Sequence, residues 1–201
     1  MIKAIAFDYG GVIEITERNL FQEIAKYLQI NIEDLERVYF SLNHLCNTEN
    51  KTSEEVIEMT VREFGADETQ VENIKNLSRE NNKTKKLNQE LIDIIKFLKS
   101  KSYKIGLLSN NVVELRKKLI KQGIFDLFDN VIISAEAGSQ KPDPIFFKYA
   151  FSELGVESNE VIFIDDTKRS LEGAESIGYV PILYTTNEKL KQDFLIYNIT
   201  I

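Results

Sequence analysis

The sequence predicts an α/β protein: a doubly wound parallel sheet with an all-helical domain inserted after its first strand. Three observations point there. Residues 2–8, IKAIAFD, are a short apolar run closed by the Gly10-Gly11 turn, the pattern of a buried strand. Residues 16–84 contain no proline and carry apolar residues at helical spacing alone. From residue 88 onward, strand-length apolar runs alternate with helical segments, and such alternation builds a parallel sheet with helices on both faces.

The elements follow in order. After the first strand, Leu20, Ile24 and Leu28, then Leu35, Val38 and Leu42, then Val56, Met59 and Phe64 mark apolar helix faces. They predict a bundle of about four helices. Thr52 and Ser53 before Glu54 and Glu55 read as a helix start. Residues 82–86, NKTKK, form a polar, cationic seam and a candidate hinge. Leu91, Ile94, Ile95 and Leu98 make the next helical face. Strands are predicted at 103–109 (YKIGLLS), 130–134 (NVIIS), 160–165 (EVIFID) and 179–184 (YVPILY). Helices are predicted at 112–122, 143–154, 168–177 and 187–196; the third-strand loop leads into the second of these through Pro142-Asp143-Pro144, and proline suits an early helical position. The result is a Rossmann-like core from residues 1–14 and 85–201, with residues 15–84 as the inserted helical domain.

Bulk properties narrow the function. The 201-residue chain is 43% hydrophobic, enough for a sizeable core and against global disorder. Its net charge of -7, with both signs mixed along the chain, argues against a nucleic-acid partner. A lone cysteine, Cys46, cannot make an internal disulfide, so a cytoplasmic setting is expected. The start lacks a basic segment followed by an apolar core, and no run reaches membrane-spanning length. No membrane partner is expected, and triplets such as Asn82-Lys83-Thr84 then read as chance glycosylation motifs.

In an open parallel sheet, ligands bind beyond the carboxyl ends of the strands. Asp8 ends the first strand, Ser109 and Asn110 the second, Asp165 and Asp166 the fourth; Lys141 sits in the loop GSQKPDP. Three close carboxylates repel one another unless a cation lies among them. Oxygen-only ligands suit Mg²⁺, which also contacts substrate phosphates. A lysine and a hydroxyl beside it would serve an anion. This set points to phosphoryl transfer with Asp8 as nucleophile.

The motif order D-x-G-G-V, L-L-S-N, K-P-D-P, F-I-D-D resembles the haloacid dehalogenase superfamily of hydrolases over nearly the whole chain. The helical insert is similar to that family's first type of cap domain. The resemblance implies an aspartyl-phosphate at Asp8, with Ser109 and Asn110 beside the transferring group and Lys141 neutralising charge. It also implies Mg²⁺ held by Asp8, Asp165, Asp166 and the backbone carbonyl of Gly10. True dehalogenases carry a different fourth motif and need no metal, so the Asp165-Asp166 pair resembles the phosphatase branch and its small sugar-phosphate phosphatases. The segment FIDDTKRSLEGA places Ser170 where those enzymes often carry Asn or Asp; its shorter side chain predicts weaker support for the metal.

Gly10 stands where most such phosphatases have a second aspartate, the general acid and base. Glu14, Glu17 and His44 are candidate substitutes. Three readings follow: a phosphatase that finds its acid elsewhere or uses an easy leaving group, a catalytically weak phosphate- or partner-binding protein, or an enzyme of carbon–phosphorus or carbon–halogen bonds. Plainer roles stand beside the functional ones. Asp165 and Asp166 can cap the following helix as well as bind metal. His44 reads as an ordinary helix residue between Leu42 and Leu45, and Cys46 as a small buried one. Tyr39-Phe40 and Phe146-Phe147 read as core, and Lys83, Lys85 and Lys86 as a solvated hinge face. Arg18 and Arg37 are cations whose direction the sequence leaves open. The expected function is Mg²⁺-dependent hydrolysis of a small phosphorylated metabolite, with the cap choosing the substrate and hinging at 82–86 and after Val12.

Overall fold

The computed structural model describes residues 1–48 and 51–201. They form two compact units, Met1–Ile15 with Leu87–Ile201, and Thr16–Lys86. The first unit is built on strand β1 (Ala4–Phe7). The chain leaves it through β2 (Glu14–Ile15) and returns through β3 (Lys86–Leu87), two short strands that pair with each other.

The second unit holds α1 (Leu20–Leu28), α2 (Ile32–Leu42), α3 (Leu45–Thr48), α4 (Ser53–Arg62) and α5 (Glu68–Lys83). The start of α4 is a full capping box: Thr52 and Glu55 each take the other's backbone N–H, satisfying donors that the first helical turn leaves open. Ile24, Leu35, Ile57, Val61, Val71 and Ile74 form the core of this unit, with Phe21 edge-on to Tyr39 at 4.9 Å. His44 is not on a helix but in the turn between α2 and α3, exposed, its Nδ1 2.8 Å from the Ser41 carbonyl. Cys46 is half-buried and free. Asn82 and Lys83 belong to the last turn of α5, which Thr84 caps, so the polar seam begins as helix.

In the first unit, α6 (Gln89–Ser100), β4 (Lys104–Ser109), α7 (Glu114–Lys121), β5 (Asn130–Ile133), α8 (Ser134–Ala137), α9 (Pro144–Leu154), β6 (Val161–Asp165), α10 (Ala174–Ile177), β7 (Val180–Leu183) and α11 (Asn187–Ile196) follow in alternation. The sheet order is β5-β4-β1-β6-β7, with every neighbouring pair parallel. The chain therefore winds outward from β1 in both directions. Alternate side chains of each strand serve opposite layers. Ile5 and Phe7 pack with Leu91, Leu115, Leu119 and Phe194 from α6, α7 and α11. Ala4 and Ala6 pack with Phe146, Phe147, Ala150 and Phe151 of α9. Over Ala4, Ala6 and Gly106 this layer lies close because those strand residues are small: a Cβ on Gly106 would stand 2.9 Å from Leu154 Cδ1.

The helix predicted at 168–177 is interrupted. A 3-10 turn, Lys168–Leu171, precedes α10, and Gly173 between them has φ +78°. That left-handed backbone breaks the i to i−4 ladder, which the apolar spacing alone does not reveal. Among the described residues no helix is long and apolar enough to cross a membrane.

Candidate active site

Asp8 follows β1, and its N–H donates to the Ile164 carbonyl at 2.9 Å. This bond continues the β1–β6 pairing by one residue, so Asp8 and Asp165 end neighbouring strands side by side. The Lys141 ammonium donates to Asp8 Oδ1 at 2.7 Å and to Asp165 Oδ2 at 2.6 Å. All three are buried, with exposures of 8% for Asp8, 4% for Lys141 and 1% for Asp165. Asp165 Oδ1 also accepts the Thr167 N–H at 2.8 Å, closing a local turn; the helix cap expected of the Asp165-Asp166 pair is not formed, because the 3-10 turn that follows has no side-chain cap. Beneath the cluster, the Lys141 ammonium lies 5.1 Å from the Phe163 ring centre. Ser109, at the end of β4, is buried.

Asn110 has both ends of its amide on the Lys141 backbone. Its Nδ2 donates to the Lys141 carbonyl at 2.9 Å and its Oδ1 accepts the Lys141 N–H at 2.8 Å. The residue expected beside substrate thus holds the loop that presents the lysine. Nothing in the local sequence signals this, because the partners lie 31 residues apart.

Asp8, Asp165 and Asp166 each offer an oxygen within 4.8 Å of the others. Burial pushes Asp8 up to about 7; the Lys141 charge opposes this, and Asp165 and Asp166 add to it. Burial, then the charge of Asp165, pushes Asp166 up to about 6. Burial alone would lower the Lys141 ammonium, yet Asp8 and Asp165 more than offset it and its affinity for the proton rises. Three crowded hard oxygens, short of positive charge, fit a small divalent cation.

The two glycines after Asp8 differ. Gly11 has φ +73°, and a Cβ there would stand 2.0 Å from Asp166 Oδ2. Its backbone touches the carboxylate because it has no side chain. Gly10 lacks a left-handed backbone, and its Cβ would meet only Asp8 Oδ2, at 4.0 Å. There is room for a side chain beside the carboxylate, and none is present.

The other residues singled out in the sequence are placed as follows. Glu14 is buried, with its carboxylate on Tyr9 and Lys118. Glu17 pairs with Lys86 at 2.6 Å, Arg18 with Glu23, Arg37 with Asp34 at 2.6 Å and Lys83 with Glu80 at 2.6 Å. Ser170 lies in the 3-10 turn, its N–H on the Thr167 carbonyl at 3.0 Å.

A family model described as haloacid dehalogenase-like hydrolase matches residues 2–178. The glyceraldehyde 3-phosphate phosphatase of Methanopyrus kandleri is 26% identical over 194 residues, 90% of this chain and 83% of that protein. The same-named protein of Methanocaldococcus jannaschii is 31% identical over 87 residues, 42% of this chain and only 38% of that protein. A HAD family enzyme of Bacteroides thetaiotaomicron, determined with magnesium and inorganic phosphate, superposes with a TM-score of 0.61 at 22% identity, covering 96% of this chain and 100% of that one.

Two predictions follow from this geometry. Gly11→Ala meets both a left-handed backbone and a clash, and is expected to cost about 2–4 kcal/mol in urea unfolding. Gly65→Ala, with φ +78° and nothing within 4 Å of its Cβ, is expected to cost only about 1 kcal/mol. Equal costs would show that Asp166 does not press on the Gly11 backbone.

The second concerns pH. The folded values of Asp8 and Asp166 lie above those of an unfolded chain, so the folded protein keeps protons the unfolded chain has released. Stability without metal therefore falls as pH rises from about 4 to about 7. Surface carboxylates such as Glu58 and Glu160, held low by Lys75 and Lys3, stay ionised across the upper part of that window. Denaturation midpoints in EDTA are expected to be lower near pH 8 than near pH 5.5, with most of the difference gone in Asp8→Asn. A midpoint that holds or rises toward pH 8 would contradict the burial and crowding of these carboxylates.

Proposed function

The chain belongs to the haloacid dehalogenase-like hydrolase family, and from that premise we propose that it is a Mg²⁺-dependent phosphatase of a small phosphorylated metabolite, of the sugar-phosphate kind, acting through an aspartyl-phosphate at Asp8. The observation that carries the reading is the Lys141 ammonium shared by Asp8 and Asp165, with Asp166 completing a three-carboxylate cluster. Magnesium and phosphate in the Bacteroides relative, and the names of the archaeal ones, support it.

Asp8, Asp165, Asp166 and the Gly10 carbonyl would hold the metal, which supplies positive charge to the transferring phosphoryl group. Lys141 engages Asp8 Oδ1, leaving Oδ2 as the attacking oxygen. Oδ2 bonds to phosphorus as the bond from phosphorus to the leaving oxygen breaks. Lys141 and the Ser109 hydroxyl stabilise charge on the phosphoryl oxygens. Water then attacks the same phosphorus and frees Asp8 and inorganic phosphate. The helical unit, residues 16–86, would serve as a cap that selects the substrate.

The leaving oxygen finds no acid at Gly10, and Glu14 is occupied by Tyr9 and Lys118. Substrates whose leaving group needs little protonation are therefore favoured, among them acyl and anomeric phosphates. The same glycine supports the second reading, a phosphate-binding protein with little turnover.

A substrate panel with Mg²⁺ separates them, taking an acyl phosphate, an aryl phosphate, an anomeric sugar phosphate and glyceraldehyde 3-phosphate. Turnover is expected to rank by leaving-group acidity and to vanish in Asp8→Asn and in EDTA. No turnover on any of them supports the binding reading, and EDTA-resistant halide release from haloacids would move the protein to dehalogenation.

Gly10→Asp supplies the absent acid in open space. It is expected to raise turnover of alkyl phosphates on the order of 10²-fold while changing the acyl phosphate little. A uniform effect on both classes would show that leaving-group protonation is not what limits this site.

A further inference from the structure

The segment from Tyr9 to Glu14 is a compact turn that carries both active-site glycines. The Ile13 and Glu14 N–H groups donate to the Tyr9 carbonyl at 2.9 and 2.8 Å, and the Gly11 N–H donates to the Glu14 carbonyl at 2.9 Å. The side chains at its two ends also meet. The Tyr9 hydroxyl donates to Glu14 Oε1 at 2.8 Å, with Tyr9 exposed by only 2% and Glu14 by 8%. From α7, the Lys118 ammonium spans the same carboxylate, 2.6 Å from Oε1 and 2.7 Å from Oε2. It also lies 5.3 Å from the centre of the Tyr9 ring. Gln122, one turn further along, donates to Glu14 Oε1 at 3.3 Å. The helix is itself seated in the core by Leu115 and Leu119.

An ion pair whose lysine side chain is 44% exposed adds little net stability, since solvent screens it while the buried carboxylate still loses hydration. What several directed bonds on one carboxylate do provide is a fixed position. The segment so fixed carries Gly11, whose missing Cβ lets it touch Asp166, and Gly10, which stands beside Asp8 Oδ2. A shift of the turn by a fraction of an ångström would move backbone against two of the three clustered carboxylates.

We propose that Glu14, Lys118 and Tyr9 are positioning residues that anchor the Gly10-Gly11 backbone to α7 and thereby set the metal affinity of the Asp8–Asp165–Asp166 cluster. The proposal rests on the Mg²⁺ reading above, but the side-chain bonds of the three residues go to one another and to Gln122, not to the clustered carboxylates.

Calorimetric titration of Mg²⁺ into the full chain tests it without reference to turnover. Glu14→Gln and Lys118→Met are each expected to weaken binding roughly 10-fold, the usual effect of losing a supporting contact behind a metal ligand. The double variant should be no weaker than the singles, because one anchor is lost in each, and Lys118→Arg should restore most of the affinity. Glu90→Gln, which breaks an exposed pair with Lys191 in the same unit, should leave affinity unchanged. Tyr9→Phe removes only a hydroxyl and gives a smaller loss in the same direction if the charged variants fold poorly. Wild-type binding of Mg²⁺ with unchanged affinity in Glu14→Gln and Lys118→Met overturns this proposal alone. A wild type that binds no Mg²⁺ overturns the metal reading, and the proposal with it.

Discussion

The site depends on one interaction: a buried ammonium held between two buried carboxylates at the end of the central strands. Lys141 reaches Asp8 and Asp165 at ordinary charge-assisted distances. Without it, the side-by-side endings of β1 and β6 would bring two uncompensated charges together in a low-dielectric edge. The Asp8 N–H on the Ile164 carbonyl fixes the separation of the two carboxylates. The Asn110 clamp fixes the lysine from the end of β4, the strand on the other flank of β1 from β6. The order β4-β1-β6 is therefore more than topology, because it brings the Asn110 clamp, Asp8 and the Asp165-Asp166 pair onto three adjacent strand ends.

The compensation is incomplete. One ammonium faces three carboxylates, and Asp8 and Asp166 are raised first by burial and then by the neighbouring carboxylates that this single charge does not fully offset. A protein of this architecture could have relieved the crowding by replacing Asp166 with a neutral residue. Instead the chain places a glycine with left-handed backbone directly against Asp166, an arrangement that tolerates no side chain. Crowded carboxylates of raised proton affinity are what candidate functional sites carry.

Much of this was legible in the sequence. The strands could be read because each is a short apolar run ending in a polar residue, and a parallel sheet aims all such endings at one edge. The four strand-end motifs therefore named Asp8, Ser109, Lys141, Asp165 and Asp166 before any coordinates. The break at Gly173 was not legible, since the apolar spacing runs through it while the backbone reverses locally. The clamp by Asn110 and the anchoring of Glu14 were also hidden, for a different reason. Both join residues far apart in the chain, Asn110 with Lys141 and Glu14 with Lys118. Such pairings depend on how α7 and the loop after α8 lie over the sheet, which no periodicity encodes. Glu14 illustrates the gap: close to Asp8 in sequence, it is a candidate acid there, yet its carboxylate is held by Tyr9 and Lys118.

Charge supplies the last step. The chain carries a net charge of -7, and its carboxylate cluster is itself negative. A phosphorylated substrate is an anion, so neither the average field nor the local one attracts it. The Lys141 charge is shared by two carboxylates, so by itself it does not reverse the negative field of the cluster. On the phosphatase reading, substrate recognition and metal binding are then one event rather than two: the cation that relieves the crowded carboxylates would also be what makes the site attractive to phosphate. Contacts that set metal affinity from a distance, as the Glu14–Lys118 pair is proposed to do, would on that account set substrate affinity too.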